Sequence, residues 1–97
     1  MHYTIYRTTH NESGKEYIGM HRTMKMDDGY MGSGKHLKHA INKYGKEAFT
    51  KEVLHIFDTK ADMIAKEIEY VTREYCLRED TYNINTGGKG GFDYVRN

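Results

Sequence analysis

Tyr6, Tyr17 and Glu67 are the side chains of this sequence whose type and placement could do chemistry. The runs Thr4-Ile5-Tyr6 and Tyr17-Ile18-Gly19 are β-prone and lie ten residues apart. Residues 10–15 between them are polar, and Gly14 can take φ > 0, so the pair predicts a β-hairpin. Alternation puts Tyr3 and Ile5 on one face and Thr4 and Tyr6 on the other; on the second run Tyr17 and Gly19 share a face, opposite Ile18 and Met20. If Ile5 and Ile18 face the core, Tyr6 and Tyr17 sit together on the open face, and Gly19 leaves room there for a ligand or backbone. Glu67 stands at the edge of a helix's apolar stripe, beside Met63, Ile64, Tyr70 and Val71. A carboxylate there is costly unless it has a donor or a cation. A divalent metal would serve, and so would a hydrogen bond from a sheet tyrosine.

The elements that must position these groups are set by two periodicities. After the hairpin, residues 20–32 read as an ordered loop carrying His21, Arg22 and Lys25, with Asp27-Asp28-Gly29 as a turn signal. Ser33 offers an N-cap for a helix over 34–44 whose apolar positions are Leu37, Ala40, Ile41 and Tyr44, closed by Gly45. Residues 50–57 read as a strand with apolar content on both faces, hence central in its sheet. Thr59 caps a second helix over 60–77, with a stripe of Ala61, Ile64, Ala65, Ile68, Val71 and Tyr75. On its outer face, Glu69 with Arg73 and Asp62 with Lys66 are expected i,i+4 pairs. The architecture expected is an α/β domain of the α+β type: a three-stranded antiparallel sheet of 2–8, 16–21 and 50–57, flanked by helices.

Composition narrows the function. The 97 residues make a single domain, 1–97, with a glycine-rich tail over 86–97. One cysteine excludes an internal disulfide and a cysteine-based zinc site; Cys76 reads as a helix-borne thiol. No stretch is long and apolar enough to span a membrane, and no signal peptide is present, so a cytoplasmic protein is expected. Net charge is only +1, but Arg22, Lys25, Lys35, Lys38, Lys43, Lys46 and Lys51 concentrate in residues 21–51. One basic region suits brief contact with a phosphodiester better than tight independent binding. The candidate nucleic-acid contacts are Lys25, Lys38, His39 and Lys43, which could equally form a solvated face. Residues 29–36 nearly match a phosphate loop, but His36 stands where the Mg²⁺-binding hydroxyl belongs, and no buried parallel strand precedes it.

The paired tripeptides and several downstream residues resemble the GIY-YIG nuclease family, and phage-type homing endonucleases within it. Thr4 replaces the first glycine of the motif, Tyr6 and Tyr17 match its tyrosines, and Glu67 with Tyr70-Val71 matches its catalytic glutamate. Tyr82-Asn83 fits the family asparagine, and Asn42-Lys43-Tyr44-Gly45 resembles a helix end found in the phage-type members. The resemblance implies a metal-dependent DNA endonuclease of a phage or viral kind. It implies one divalent cation, Mg²⁺ or Mn²⁺, on Glu67, double-stranded DNA as partner, a monomer, and action in an infected host cell. A tyrosine would orient or deprotonate the attacking water, and the metal would aid departure of the 3′ oxygen. The alternatives are an inert nucleic-acid-binding module of the same fold, or a restriction or repair nuclease.

One departure bears on the site. Where the family places an arginine on a helix, this chain has Asp27 in a glycine-bounded loop. A second positive group must come from elsewhere, because charge developing on phosphate needs it. Alternation puts His21 on the Tyr17 side, so His21 is expected at the nucleophilic water and Arg22 or Lys35 at the phosphate. The full catalytic set expected is Tyr6, Tyr17, His21, Arg22, Lys35, Glu67 and Asn83.

Overall fold

The computed structural model describes residues 1–84, so the expected tail over 86–97 lies outside the described residues. Strands β1 (His2–His10) and β2 (Glu16–Thr23) form the expected hairpin. Gly14 turns it at φ 78° while its N–H donates to the His10 carbonyl at 2.8 Å. A third strand, β3 (Phe49–Phe57), pairs antiparallel with β1, giving the order β2-β1-β3. The sheet matches the expected three strands, each extended by one or two residues.

The expected central position of β3 is corrected: β1 is central and β3 is an edge. β3 leaves Val53 37% and Ile56 56% exposed. The central strand is instead rich in threonine, which conceals its burial. Thr4 and Thr8 are buried, and their hydroxyls are satisfied by donating to the backbone carbonyls of His21 (2.8 Å) and Met31 (2.6 Å). Thr4, the residue in place of the motif glycine, thus pins the backbone of His21. A bulge between Ile5 and Tyr6 pairs Ile5 with His55 and Tyr6 with Val53, leaving Leu54 extra.

Two layers cover the sheet. On the Ile5 and Ile18 face, the helical segments that follow β3 supply Met63, Val71, Tyr75 and Cys76, which complete one apolar cluster. On the Tyr6 and Tyr17 face, helix α1 (Lys35–Tyr44) brings Leu37 and Ala40 against Phe49 and Tyr82. Burying a leucine such as Leu37 completely stabilises by about 1.5–3 kcal/mol. The N-cap of α1 is Gly34, not Ser33, and no side chain caps it. Gly45 ends it as expected, at φ 90°, donating to the Ile41 carbonyl.

The single helix expected over 60–77 is two: α2 (Lys60–Tyr70) and α3 (Arg73–Leu77). Thr59 caps α2 as expected. Val71 leaves helical geometry at φ −100°, ψ 72°, and the Thr72 hydroxyl caps α3 by accepting from the Tyr75 N–H at 3.1 Å. The break lets Val71, Tyr75 and Cys76 all be buried. It also removes the helical register between Glu69 and Arg73; Glu69 pairs with Lys66 instead, at 3.3 Å. The buried face of α2 is rotated from the expected stripe. Met63 is buried and Glu67 half-buried, whereas Ile68 is 52% exposed. The helix therefore turns a carboxylate inward in preference to an isoleucine.

Beyond α3 the chain returns along the outer edge of β2. The Glu16 N–H donates to the Asp80 carbonyl (2.9 Å), and the Tyr82 N–H donates to the Glu16 carbonyl (2.7 Å). This short parallel bridge, with Glu16 opposite Thr81, closes the first half of that edge.

Candidate active site

The sheet register fixes which side chains can meet. Tyr6 is opposite Gly19, Thr8 opposite Tyr17, and Thr4 opposite His21, so all of these share one face. Arg22 is opposite Tyr3 and belongs to the other face. The structure therefore brings Tyr6, Tyr17 and His21 together and directs Arg22 away from them.

The tyrosine face is not open, as expected from the hairpin alone. The loop between β2 and α1 folds over it, and Tyr6 is 1% exposed. Glycines make the closure possible. A Cβ placed at Gly19 would lie 2.5 Å from the Tyr6 hydroxyl oxygen and 2.8 Å from the Tyr17 ring. One at Gly32 would meet Leu37 at 2.4 Å, and one at Gly34 would meet the Tyr17 ring at 2.6 Å. The two rings stand 6.2 Å apart, tilted by 38°.

The two phenols have different surroundings. Burial raises the Tyr6 pKa far above its ordinary value; the neighbouring Tyr17 and Tyr30 and the Glu67 charge add to this. Burial also raises Tyr17, while the nearby Ser33 side chain and the Gly34 backbone at the start of α1 oppose the shift. Ser33, expected as a helix cap, lies beside Tyr17 instead. Tyr17 thus sits at the start of α1, where negative charge is favoured.

Tyr17 opens into a cleft of about 250 Å³ lined also by Ser33, Gly34, Lys35, Tyr82, Asn83 and Ile84. Lys35 and Asn83, both expected at the site, are thus brought to Tyr17. The Asn83 side chain, however, is occupied by the backbone of β2. Its Oδ1 accepts from the Ile18 N–H at 3.0 Å and its Nδ2 donates to the Ile18 carbonyl at 2.7 Å. Asn83 acts as a strut that fixes the strand beside Tyr17.

Glu67 projects from α2, the helix packed on the opposite face, yet its charge acts on both Tyr6 and Tyr17. Among the described residues no group of three or more His, Cys, Asp or Glu side chains could hold a metal. One protein carboxylate as ligand fits a hard ion such as Mg²⁺, which keeps several waters and takes phosphate oxygens, and does not fit zinc.

His21 is held on both sides. Its Nε2 lies 2.7 Å from the Asp28 carboxylate, and its ring stacks on Tyr30 at 3.8 Å. Asp28 also accepts from the Thr23 hydroxyl (2.8 Å) and the Tyr30 N–H (3.0 Å). The His21 bond first, then the Tyr30 amide and the Thr23 hydroxyl, hold Asp28 well below the usual carboxylate range. Tyr30 in turn stands edge-on to Tyr6, ring centres 5.8 Å apart.

Three residues of this cluster escape sequence reasoning: Asp28, Tyr30 and Lys51. Lys51 Nζ lies 5.1 Å from the Tyr6 ring centre and 5.7 Å from that of Tyr30, a cation on the tyrosine face. Burial lowers its pKa, against Asp28 and Asp27, which raise it. Alternation from Phe49 is the signal that reaches it, since Lys51 is opposite Thr8. Of the expected nucleic-acid contacts, Lys25 lies exposed on the loop, and Lys38, His39 and Lys43 lie exposed on α1.

A family model described as "Putative endonuclease segE, GIY-YIG domain" matches residues 2–86. Among curated proteins, "Putative endonuclease segB" of Enterobacteria phage T4 is 50% identical over 95 residues, covering 98% of this chain and 43% of that protein. "Putative endonuclease segD" of the same phage is 46% identical over 90 residues, 93% of this chain and 40% of that protein. "Endonuclease segA", also of that phage, is 39% identical over 86 residues, 89% of this chain and 39% of that protein. The chain spans less than half the length of these relatives. No solved structure matches it.

Proposed function

The chain belongs to the GIY-YIG nuclease family, and on that premise we propose that it is a DNA endonuclease of the phage homing type, hydrolysing phosphodiester bonds of double-stranded DNA in an infected host cell. The observation that carries this reading is the seat of the Tyr17 hydroxyl. Tyr17 lies against Gly34, in a cleft it shares with Ser33 and Lys35, within reach of the Glu67 charge.

Tyr17 positions the attacking water. His21, oriented through Nε2 by Asp28, takes the water proton on its other ring nitrogen, the arrangement by which a carboxylate sets a histidine base. As the water oxygen bonds to phosphorus, the bond to the 3′ oxygen breaks; that oxygen takes a proton from solvent water, leaving a 5′ phosphate and a 3′ hydroxyl. Lys35 and the amides at the start of α1 receive the negative charge that develops on phosphate. Glu67 would hold the divalent cation, Mg²⁺ or Mn²⁺, which supplies Lewis-acid charge at the leaving oxygen. Asn83 acts as a positioning residue through the backbone of β2.

The test is relaxation of supercoiled plasmid with and without Mg²⁺. Glu67→Gln should lower the Mg²⁺-dependent rate by about 100-fold or more, the scale of losing one charge-stabilising group. A Glu67→Gln protein that cleaves at the wild-type rate would remove the metal role from Glu67. A second reading, a non-cleaving DNA-binding module, is favoured by one observation: Tyr6 is 1% exposed and cannot touch a phosphate unless the loop above it moves. DNA binding without cleavage by the wild-type chain would select it.

A further inference from the structure

A second recess lies between the β1–β2 turn and α1. It encloses about 300 Å³ and is lined by His10, Ser13, Lys15, His39, Ala40, Lys43, Tyr44 and Tyr82. Tyr82 also lines the Tyr17 cleft, so the two recesses share a wall. Among the described residues no acidic side chain lines either one. Lys15 Nζ rests 4.8 Å over the Tyr82 ring and Lys43 Nζ 5.1 Å over the Tyr44 ring. Neither lysine, nor Lys35, is in an ion pair among the described residues, whose pairs are Arg7–Glu52, His21–Asp28, Lys66–Glu69 and Arg78–Asp80.

Helical spacing orders these cations. Lys35, His39 and Lys43 are four apart on α1, so each step advances about 6 Å and rotates about 40°. From Lys35 at the Tyr17 cleft to Lys43 is about 12 Å along the helix. The ridge therefore follows about 12 Å of a strand's backbone path, which is longer per nucleotide than the rise of about 3.4 Å along the duplex axis. Lys38, on the same helix, lines neither recess.

Resting on the nuclease reading above, we propose that this groove is a phosphate track. Lys35, His39 and Lys43 form one wall and Lys15 of the hairpin turn the other. It holds the backbone of the DNA strand that flanks the scissile phosphate, over the stretch beyond the Tyr17 cleft. The contacts are to phosphate, so they set register on the duplex and carry no base preference.

The test measures binding of a fluorescent 20-base-pair duplex to the Glu67→Gln protein by anisotropy, across a salt series. The log–log slope of affinity against salt should fall by about 1.8 in Lys15→Ala/Lys43→Ala, at about 0.9 for each phosphate no longer neutralised. Between 50 and 200 mM salt, the double variant should then lose about 12-fold less affinity than its parent. The fall should be the same on duplexes of unrelated sequence. Lys60→Ala, at the start of α2 on the other side of the sheet, should leave the slope unchanged. An unchanged slope in the double variant, or an equal fall in Lys60→Ala, overturns the track. Binding without cleavage by the wild-type chain sinks the nuclease reading but leaves the slope to decide the groove. Absence of any salt-dependent binding sinks both.

Discussion

Gly19→Ala isolates the packing on which the tyrosine site depends. Gly19 does not occupy the left-handed region, so alanine meets no backbone strain and the whole effect is steric. The added Cβ would lie 2.5 Å from the Tyr6 hydroxyl oxygen, 2.8 Å from Tyr6 Cζ and 2.8 Å from Tyr17 Cε2. Tyr6 cannot swing away, because it is 1% exposed and its hydroxyl already lies close beneath Gly32. One methyl forced into such a core costs about 1–3 kcal/mol. At roughly 4–8 °C per kcal/mol for a domain of this size, Tm should fall by roughly 4–24 °C. A displacement of about 1 Å at reacting groups can cost about 100-fold in rate, so plasmid cleavage below Tm should fall by that order. Gly14→Ala is the control: nothing lies within 4 Å of its Cβ, and φ is +78°. It should cost about 1–2 kcal/mol through backbone strain alone and leave cleavage per folded molecule intact. If Gly19→Ala melts and cleaves like the wild type, the two rings do not fill the space beside this glycine, and the site does not depend on it.

Asn83→Ala removes two hydrogen bonds to Ile18 and strands a buried N–H and carbonyl; it should destabilise by about 2–4 kcal/mol in urea unfolding. A loss under about 0.5 kcal/mol would show that the amide is not a strut. Alkaline stability gives a separate test. Burial raises Tyr6, Tyr17, Tyr75 and Tyr82 above 10.0, and for Tyr75 the Glu16 carboxylate adds to it. The unfolded chain releases these protons near pH 10 while the folded chain keeps them, so stability is full below that pH and declines above it. The urea midpoint should fall steadily from pH 10 upward, and Tyr6→Phe should flatten the fall; an identical slope in that variant would contradict the burial of Tyr6.

The fold was legible wherever one period held over a whole element. The hairpin alternation, the Thr59 cap and the Gly45 stop each came from local chemistry. Where tertiary packing chose between competing local signals, the sequence was ambiguous. Thr72 is as good a cap as Thr59, but it lies inside an apolar repeat that a single helix also satisfies. Ser33 is a good cap by type, yet Gly34 takes the cap position and Ser33 lines the cleft beside Tyr17. The inward turn of Glu67 contradicts hydrophobic periodicity, because Ile68 is the more apolar choice. At the site, alternation placed Tyr6, Tyr17 and His21 on one face, and the same alternation extended into β3 reaches Lys51. Asp28 and Tyr30 lie in a loop without periodicity, and their contacts with His21 and Tyr6 depend on how that loop crosses the sheet.

The bridge that closes the edge of β2 also sets a time order. Ile18 and Asn83 are 65 positions apart in the chain, and Glu16 bonds to Asp80 and Tyr82 across a similar span. Contacts at such separation form only after the intervening chain has been organised, because loop closure must come first. Tyr17 is made before the far wall of its cleft, which is Tyr82-Asn83-Ile84. A growing polypeptide therefore carries its tyrosines without a finished cleft around them until those residues follow. Completion waits for almost the last of the described residues, and a chain interrupted before them would hold every other catalytic candidate and still lack the wall that encloses Tyr17.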